Sequence, residues 1–202
     1  MTSTQPLADN PTVTRLLDAA ARLFYEQGVN VGITALCEEA GVSKRSMYQF
    51  FDGKDEVLAA ALARSVPVYL AGLLPDASEE LKPRARIMRV FERVELIAAD
   101  PDFRGCPYVA IAAEVKAPEH PARAVARGFH DTMTRFFETA LDEARAPDAR
   151  RVAQQLTAVH DGVLAGTVVQ GRATPGLATA MATTVLNAAG LRTDRPAAAR
   201  RT

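Results

Sequence analysis

The sequence predicts an all-α protein with a helix-turn-helix near its N-terminus and a larger helical remainder. Three observations carry that reading. The 202 residues are rich in Ala, hold no Trp and are only 6% aromatic, and Ala, Leu, Arg and Glu are strong helix formers. Apolar residues recur at helical spacing through most of the chain. Residues 34–58, TALCEEAGVSKRSMYQFFDGKDEVL, read as two short helices about a tight glycine turn, followed by the start of a longer one.

Residues 1–10 are polar, Pro-containing and without periodicity, which predicts a disordered tail or a short arm reaching a minor groove. Thr12 is placed to cap the first helix, which runs to about Gln27 and gathers Val13, Leu16, Leu17, Ala20, Leu23 and Phe24 on one face before Gly28 ends it. Arg15 and Arg22 read as surface groups on it.

The second helix is expected over 34–40 with Thr34 as its cap. Gly41 supplies the left-handed residue of the turn. Ser43 caps a third helix that reaches about Phe50. Leu36, Ala40, Val42 and Met47 would close the two helices on each other, with Phe50 and Phe51 one turn beyond. Lys44, Arg45, Ser46, Tyr48 and Gln49 then face outward. Arg and Gln can read base edges bidentately, whereas Lys and hydroxyl groups suit phosphates. Lys54, at the start of the fourth helix, is a candidate phosphate clamp.

These same motifs resemble the DNA-binding domain of the TetR family of one-component bacterial repressors. The likeness covers residues 12–64, about a quarter of the chain. It rests on Phe24 and Gly28, Thr34, the Ala-Gly-Val-Ser run 40–43, Tyr48 with Phe51, and the Lys54-Asp55 pair. Cys37, where the family usually has a small or aliphatic residue, and Gly32 are the departures. The resemblance implies a helix-turn-helix domain over 11–58 and a C-terminal helical effector-binding and dimerisation domain over 59–191. The partners it implies are double-stranded operator DNA, a small-molecule effector and a second copy of the chain.

The remaining helices follow in order. The fourth continues from Lys54 past Arg64 to Pro67, where a kink or a new helix is expected. Residues 75–78 form a loop. Residues 82–99 form an amphipathic helix with Ile87, Val90, Phe91, Val94, Leu96 and Ile97 inward. A short apolar helix covers 108–115, and a long one runs from Pro121 to about Arg145 with Val125, Phe129, Met133, Phe136, Phe137 and Leu141 buried. Residues 149–170 and 175–190 are rich in small side chains, among them Gly162, Gly166, Ala178, Ala182 and Ala189, and form a hairpin. Two such hairpins would make a four-helix bundle across a two-fold axis, and the resemblance favours that homodimer. The tail over 192–202 is Ala-, Arg- and Pro-rich and reads as disordered.

By analogy with the family, an apolar pocket in the C-terminal part would draw on Tyr69, Leu70, Phe91, Phe103, Cys106, Tyr108, Phe129, Met133, Phe137 and His160. Tyr108, His160 and Asp161 are the better candidates for polar contacts. Cys106 lacks neighbours in sequence, beyond Arg104, that would activate its thiol.

Other classes are disfavoured. The sequence has no phosphate-cradling Gly loop, no Gly-x-Ser-x-Gly elbow and no acid–base pair, so no enzyme and no cofactor is expected. His120, His130 and His160 form no spaced metal set, and two cysteines make no disulfide framework. No run of about 18 apolar residues and no signal pattern is read, which predicts a cytoplasmic protein. The net charge is zero, and residues 1–64 carry six basic groups against eight acidic. Docking on DNA therefore depends on how Lys44, Arg45 and Lys54 are distributed. The alternative reading is a helical protein-interaction module without sequence-specific DNA binding.

Overall fold

The computed structural model describes residues 10–192, so the tails expected at either end lie, but for residues 10 and 192, outside the described part. Within it the chain forms nine α-helices and a 3₁₀ turn and no strand. They are α1 Pro11–Gln27, α2 Ile33–Ala40, α3 Lys44–Met47, α4 Lys54–Leu73, α5 Pro83–Ala98, α6 Pro107–Glu114, α7 Pro121–Glu143, α8 Ala149–Gln170 and α9 Leu177–Ala188, with the 3₁₀ turn at Ala77–Glu79. The chain divides into two compact units. Among the described residues the first comprises 10–70 and 104–130, the second 71–103 and 131–192.

In the first unit α1 carries its apolar stripe inward: Val13, Leu16, Leu17, Ala20, Leu23 and Phe24 are all buried. Its cap is Asn10 rather than Thr12. The Asn10 Oδ1 accepts from the Thr12 amide at 2.9 Å, so Thr12 lies inside the first turn and receives the cap it was expected to give. Leu16, Ala20, Leu36, Met47 and Val57 have no exposed surface. Burying a side chain of that size is worth roughly 1.5–3 kcal/mol for the larger ones, and this small core holds α1 to α4 together.

The fourth helix continues through Pro67 to Leu73, so no new helix starts there. It is also long and apolar enough, by length and composition, to cross a membrane, which corrects the expectation that no such run exists. Two-thirds of that stretch is exposed or half-buried; of the buried residues, Val57, Leu58, Ala59, Ala61 and Leu62 join the core of the first unit, and Leu73 is buried in the second. Arg64 sits in its middle, donating to the Thr14 carbonyl at 3.1 Å and pairing with Asp18 at 3.0 Å.

In the second unit α5 packs on α9 and α8, and α8 packs on α9 as the predicted hairpin. Ile87, Val90, Phe91 and Val94 face inward, and Phe91 stacks on Phe137 with ring centroids 5.6 Å apart. Leu96 does not: it is 74% exposed. At about 100° per residue it lies nearly opposite Val94, and Ala98 takes the inner position one turn on. Ala178 and Ala182 are fully buried on the inner side of α9. Gly162 and Gly166 have open space where a Cβ would stand, so they do not serve close approach within this hairpin.

The N-terminus of α9 has no side-chain cap of its own, since Gly176 occupies the cap position. Glu95 of α5 supplies one from outside. Its carboxylate accepts from the Gly176 amide at 3.1 Å and from the Thr179 amide and hydroxyl, both at 2.9 Å. A carboxylate there satisfies orphan donors and favours the positive end of the helix.

Candidate nucleic-acid interface

The turn between α2 and α3 has the geometry that the Gly-Val-Ser run predicts. Gly41 adopts φ 62°, ψ 37°, and the Val42 amide closes onto the Cys37 carbonyl at 2.9 Å while the Gly41 amide meets Glu38. Ser43 then caps α3, its Oγ accepting from the Ser46 amide at 3.0 Å. The helix proper is only Lys44–Met47, shorter than the predicted reach to Phe50. Residues 48–50 continue as tightened turns, the Gln49 and Phe50 amides reaching back three residues to Ser46 and Met47.

Met47 is fully buried and pins this short segment against α1 and α2. Ser43, Lys44, Arg45, Tyr48 and Gln49 are exposed, and Tyr48 shows 53% of its surface. The structure thus gathers five of the predicted contact residues on one short outward segment, with half-buried Ser46 among them. Thr34 is exposed on α2 but does not cap it. The helix begins one residue earlier, at Ile33, with Gly32 at the cap position and no side-chain bond. Lys54 is half-buried, and its Nζ donates to the Val29 carbonyl at 2.9 Å. Its ammonium is held beside the loop between α1 and α2. Acidic groups are turned to other work: Glu39 pairs with Arg22, and Glu56 accepts from the Asp52 amide at 2.7 Å.

Three further links hold the segment 104–121 to these helices inside the first unit. The Arg104 amide donates to the Tyr25 hydroxyl at 2.8 Å. The Glu114 carboxylate accepts from the Val29 amide at 3.0 Å. His120 takes the Ala122 amide on Nδ1 at 3.1 Å, which leaves Nε2 facing Asp55 at 3.4 Å. Sequence reasoning named none of these links. They join residues 65 to 85 positions apart, for which periodicity gives no signal.

The predicted pocket set divides between the units. Tyr69, Cys106, Tyr108 and Phe129 come together in the first. Phe91, Phe103, Met133, Phe137, His160 and Asp161 belong to the second, where His160 Nδ1 lies 2.8 Å from Asp161 Oδ1. Among the described residues no cluster of His, Cys, Asp or Glu could hold a metal ion.

A small three-helix head with a capped, basic and aromatic second helix after a left-handed glycine turn defines a helix-turn-helix DNA-binding protein. Residues 16–61 match the family model for bacterial regulatory proteins of the TetR family. The chain is 43% identical to a TetR transcriptional regulator (sav143) of Streptomyces avermitilis, at a TM-score of 0.86, over 91% of this chain and 100% of that one. It is 27% identical over 159 residues to the HTH-type transcriptional regulator LmrA of Bacillus subtilis, spanning 74% of this chain and 83% of that protein. The regulator TtgW of Pseudomonas putida matches at 35% identity over 82 residues, 40% of this chain and 60% of its own. The chain belongs to the TetR family: it is an all-helical, DNA-binding transcriptional regulator with an N-terminal helix-turn-helix domain. Its relatives are regulators, a class that does no catalysis.

Proposed function

We propose that the protein is a cytoplasmic homodimeric repressor, released from an inverted-repeat operator by a small-molecule effector. The observation that carries the reading is the exposed set Lys44, Arg45, Tyr48 and Gln49, presented on a segment that Met47 and the Ser43 cap hold in place. Lys44, Arg45 and Gln49 read bases or bridge to them, while Thr34, Ser43, Ser46, Tyr48 and Lys54 hold phosphates. The dimer forms through α8 and α9, whose turn-proximal ends expose Val168, Val169, Leu177 and Met181, Val169 to 87%. Exposed apolar groups of that size cost least when a second copy covers them. Half-sites then lie about 34–36 Å apart, or a small multiple of that.

The domains are 11–58 for DNA and 59–191 for effector and partner. Effector release is a population shift: a ligand favours a conformer with wrongly spaced reading heads, by no more than its differential affinity for the two conformers. The test is analytical ultracentrifugation of the protein with a selected operator duplex. Two protomers per inverted repeat, with binding that weakens steeply as salt rises, support the reading. One protomer per duplex, or affinity indifferent to salt, sinks it.

A further inference from the structure

The first unit contains a polar oddity that DNA binding does not use. Tyr69 of α4 sets its ring edge-on against Tyr108 of α6 and Phe129 of α7, with centroids 5.4 Å and 5.5 Å away. Tyr108 stacks on Phe129 at 4.0 Å. Tyr108 is 1% exposed, and both phenol oxygens are buried. Neither has an oxygen or nitrogen partner among the described residues. The polar group beside both is the buried Cys106 thiol, a weak acceptor. Burial, with the Cys106 neighbour adding to it, pushes both phenols above their ordinary range, so both keep their protons at any working pH. A buried hydroxyl without a good partner destabilises a fold, and Phe in its place would remove that cost. Two such hydroxyls in one aromatic cluster call for an explanation beyond packing.

We infer that Tyr69 and Tyr108 form the polar end of a binding site for an uncharged aromatic molecule bearing a carbonyl oxygen. Each part of that description has a cause. A carbonyl oxygen has two lone pairs and can accept from both phenol donors at once. The surrounding rings of Phe129, Tyr69 and Tyr108 favour an aromatic body through stacked and edge-to-face contacts. Besides burial, the neighbours that push the Tyr69 phenol up are Cys106, Tyr25 and Tyr108, each uncharged at neutral pH. A charged ligand would lose its hydration there and gain no partner. The inference rests on the regulator reading, since it gives the effector a chemical class. Placed on α4 and α6, the site also shares α6 with Glu114, whose carboxylate accepts from the Val29 amide between α1 and α2.

The experiment is isothermal titration calorimetry of the full chain, without DNA, against 9-fluorenone and against fluorene, which differs only by lacking the carbonyl. The wild type should bind fluorenone in the micromolar range and fluorene at least tenfold more weakly. Tyr69→Phe and Tyr108→Phe should each weaken fluorenone at least tenfold and leave fluorene unchanged, with a melting temperature no lower than the wild type's. Equal binding of the two probes, no binding of either, or a Tyr108→Phe protein that binds fluorenone like the wild type would overturn the site. So would a fall in melting temperature in both variants, because the hydroxyls would then be structural. Operator binding by the wild type is measured separately, so loss of the regulator reading registers there and loss of the site registers in the calorimeter.

Discussion

The Glu114 carboxylate at the end of α6 accepts a hydrogen bond from the Val29 amide at 3.0 Å, and in doing so packs against Gly28. A Cβ on Gly28 would stand 2.9 Å from Glu114 Oε2. Gly28 also adopts φ 77°, ψ −175°, a region essentially reserved for glycine. Two independent constraints therefore meet at one residue, where α1 ends.

They can be separated. Gly28→Ala should destabilise the protein by about 1–3 kcal/mol, from backbone strain with a steric addition. Glu114→Ala alone should cost about 1 kcal/mol or less, because the bond is exposed. In the double variant the steric part vanishes and the backbone part stays, so the two effects should add to more than the pair measures together. Urea denaturation of the four proteins reads this directly; strict additivity would mean that the side chain gives way freely.

Glu95 makes stability depend on pH. Burial alone would raise its pKa, but bonds from the Thr179 amide and hydroxyl and from the Gly176 and Ala178 amides outweigh this and hold it below the ordinary carboxylate range. A depressed folded pKa contributes stability that is present above the unfolded value, about 4.3, and is lost as pH falls through the lower folded value. Glu95→Gln should therefore cost about 1–2 kcal/mol at pH 7. The gap from the wild type should close in acid, and thermal melts at pH 7 and pH 3 check the sign.

Ser43 has a structural task that precedes any contact with DNA. Its Oγ caps α3, a helix of four residues with little else to hold its first turn. Ser43→Ala should lower stability by about 1 kcal/mol, whereas Ser43→Asp, which keeps an acceptor, should restore it. Chemical denaturation measures both. If the Asp variant also loses DNA affinity while folding normally, the carboxylate is repelling a phosphate.

Val169 and Met181 test the dimer. Both are exposed in one chain, so Val169→Asp with Met181→Asp should change the stability of an isolated chain by no more than about 0.5 kcal/mol for each surface site. In a dimer that covers them, two buried unpaired carboxylates should drive dissociation. Sedimentation velocity should show monomer at concentrations where the wild type is dimeric.

Local chemistry made most of the fold legible in the sequence. Apolar periodicity gave α1, α5 and α7, and small-residue content gave α8, each to within about two residues at either end, while Gly41 with Ser43 gave the turn between α2 and α3. Caps were read less well. Thr12 and Thr34 are good capping residues, yet Asn10 and Gly32 stand at those positions, because the core registers of α1 and α2 set where each helix starts. Leu96 failed for the opposite reason, since being apolar says nothing about facing the core. The outward exposure of the candidate contact residues was legible where they are contiguous, at residues 43–49. The links through Tyr25, Glu114 and His120 are made by tertiary packing alone and leave no local pattern to read.

The central claim is that the exposed face of residues 44–49 reads DNA sequence. Selection of fragments from sheared genomic DNA at near-physiological salt, with wild type and the Arg45→Ala, Tyr48→Ala variant in parallel, tests it most directly. Both side chains are exposed, so the variant should fold as the wild type does. Enrichment of an inverted repeat by the wild type alone is the expected result. Equal retention of all fragments by both proteins would contradict the claim, because the segment would then hold phosphates without reading bases.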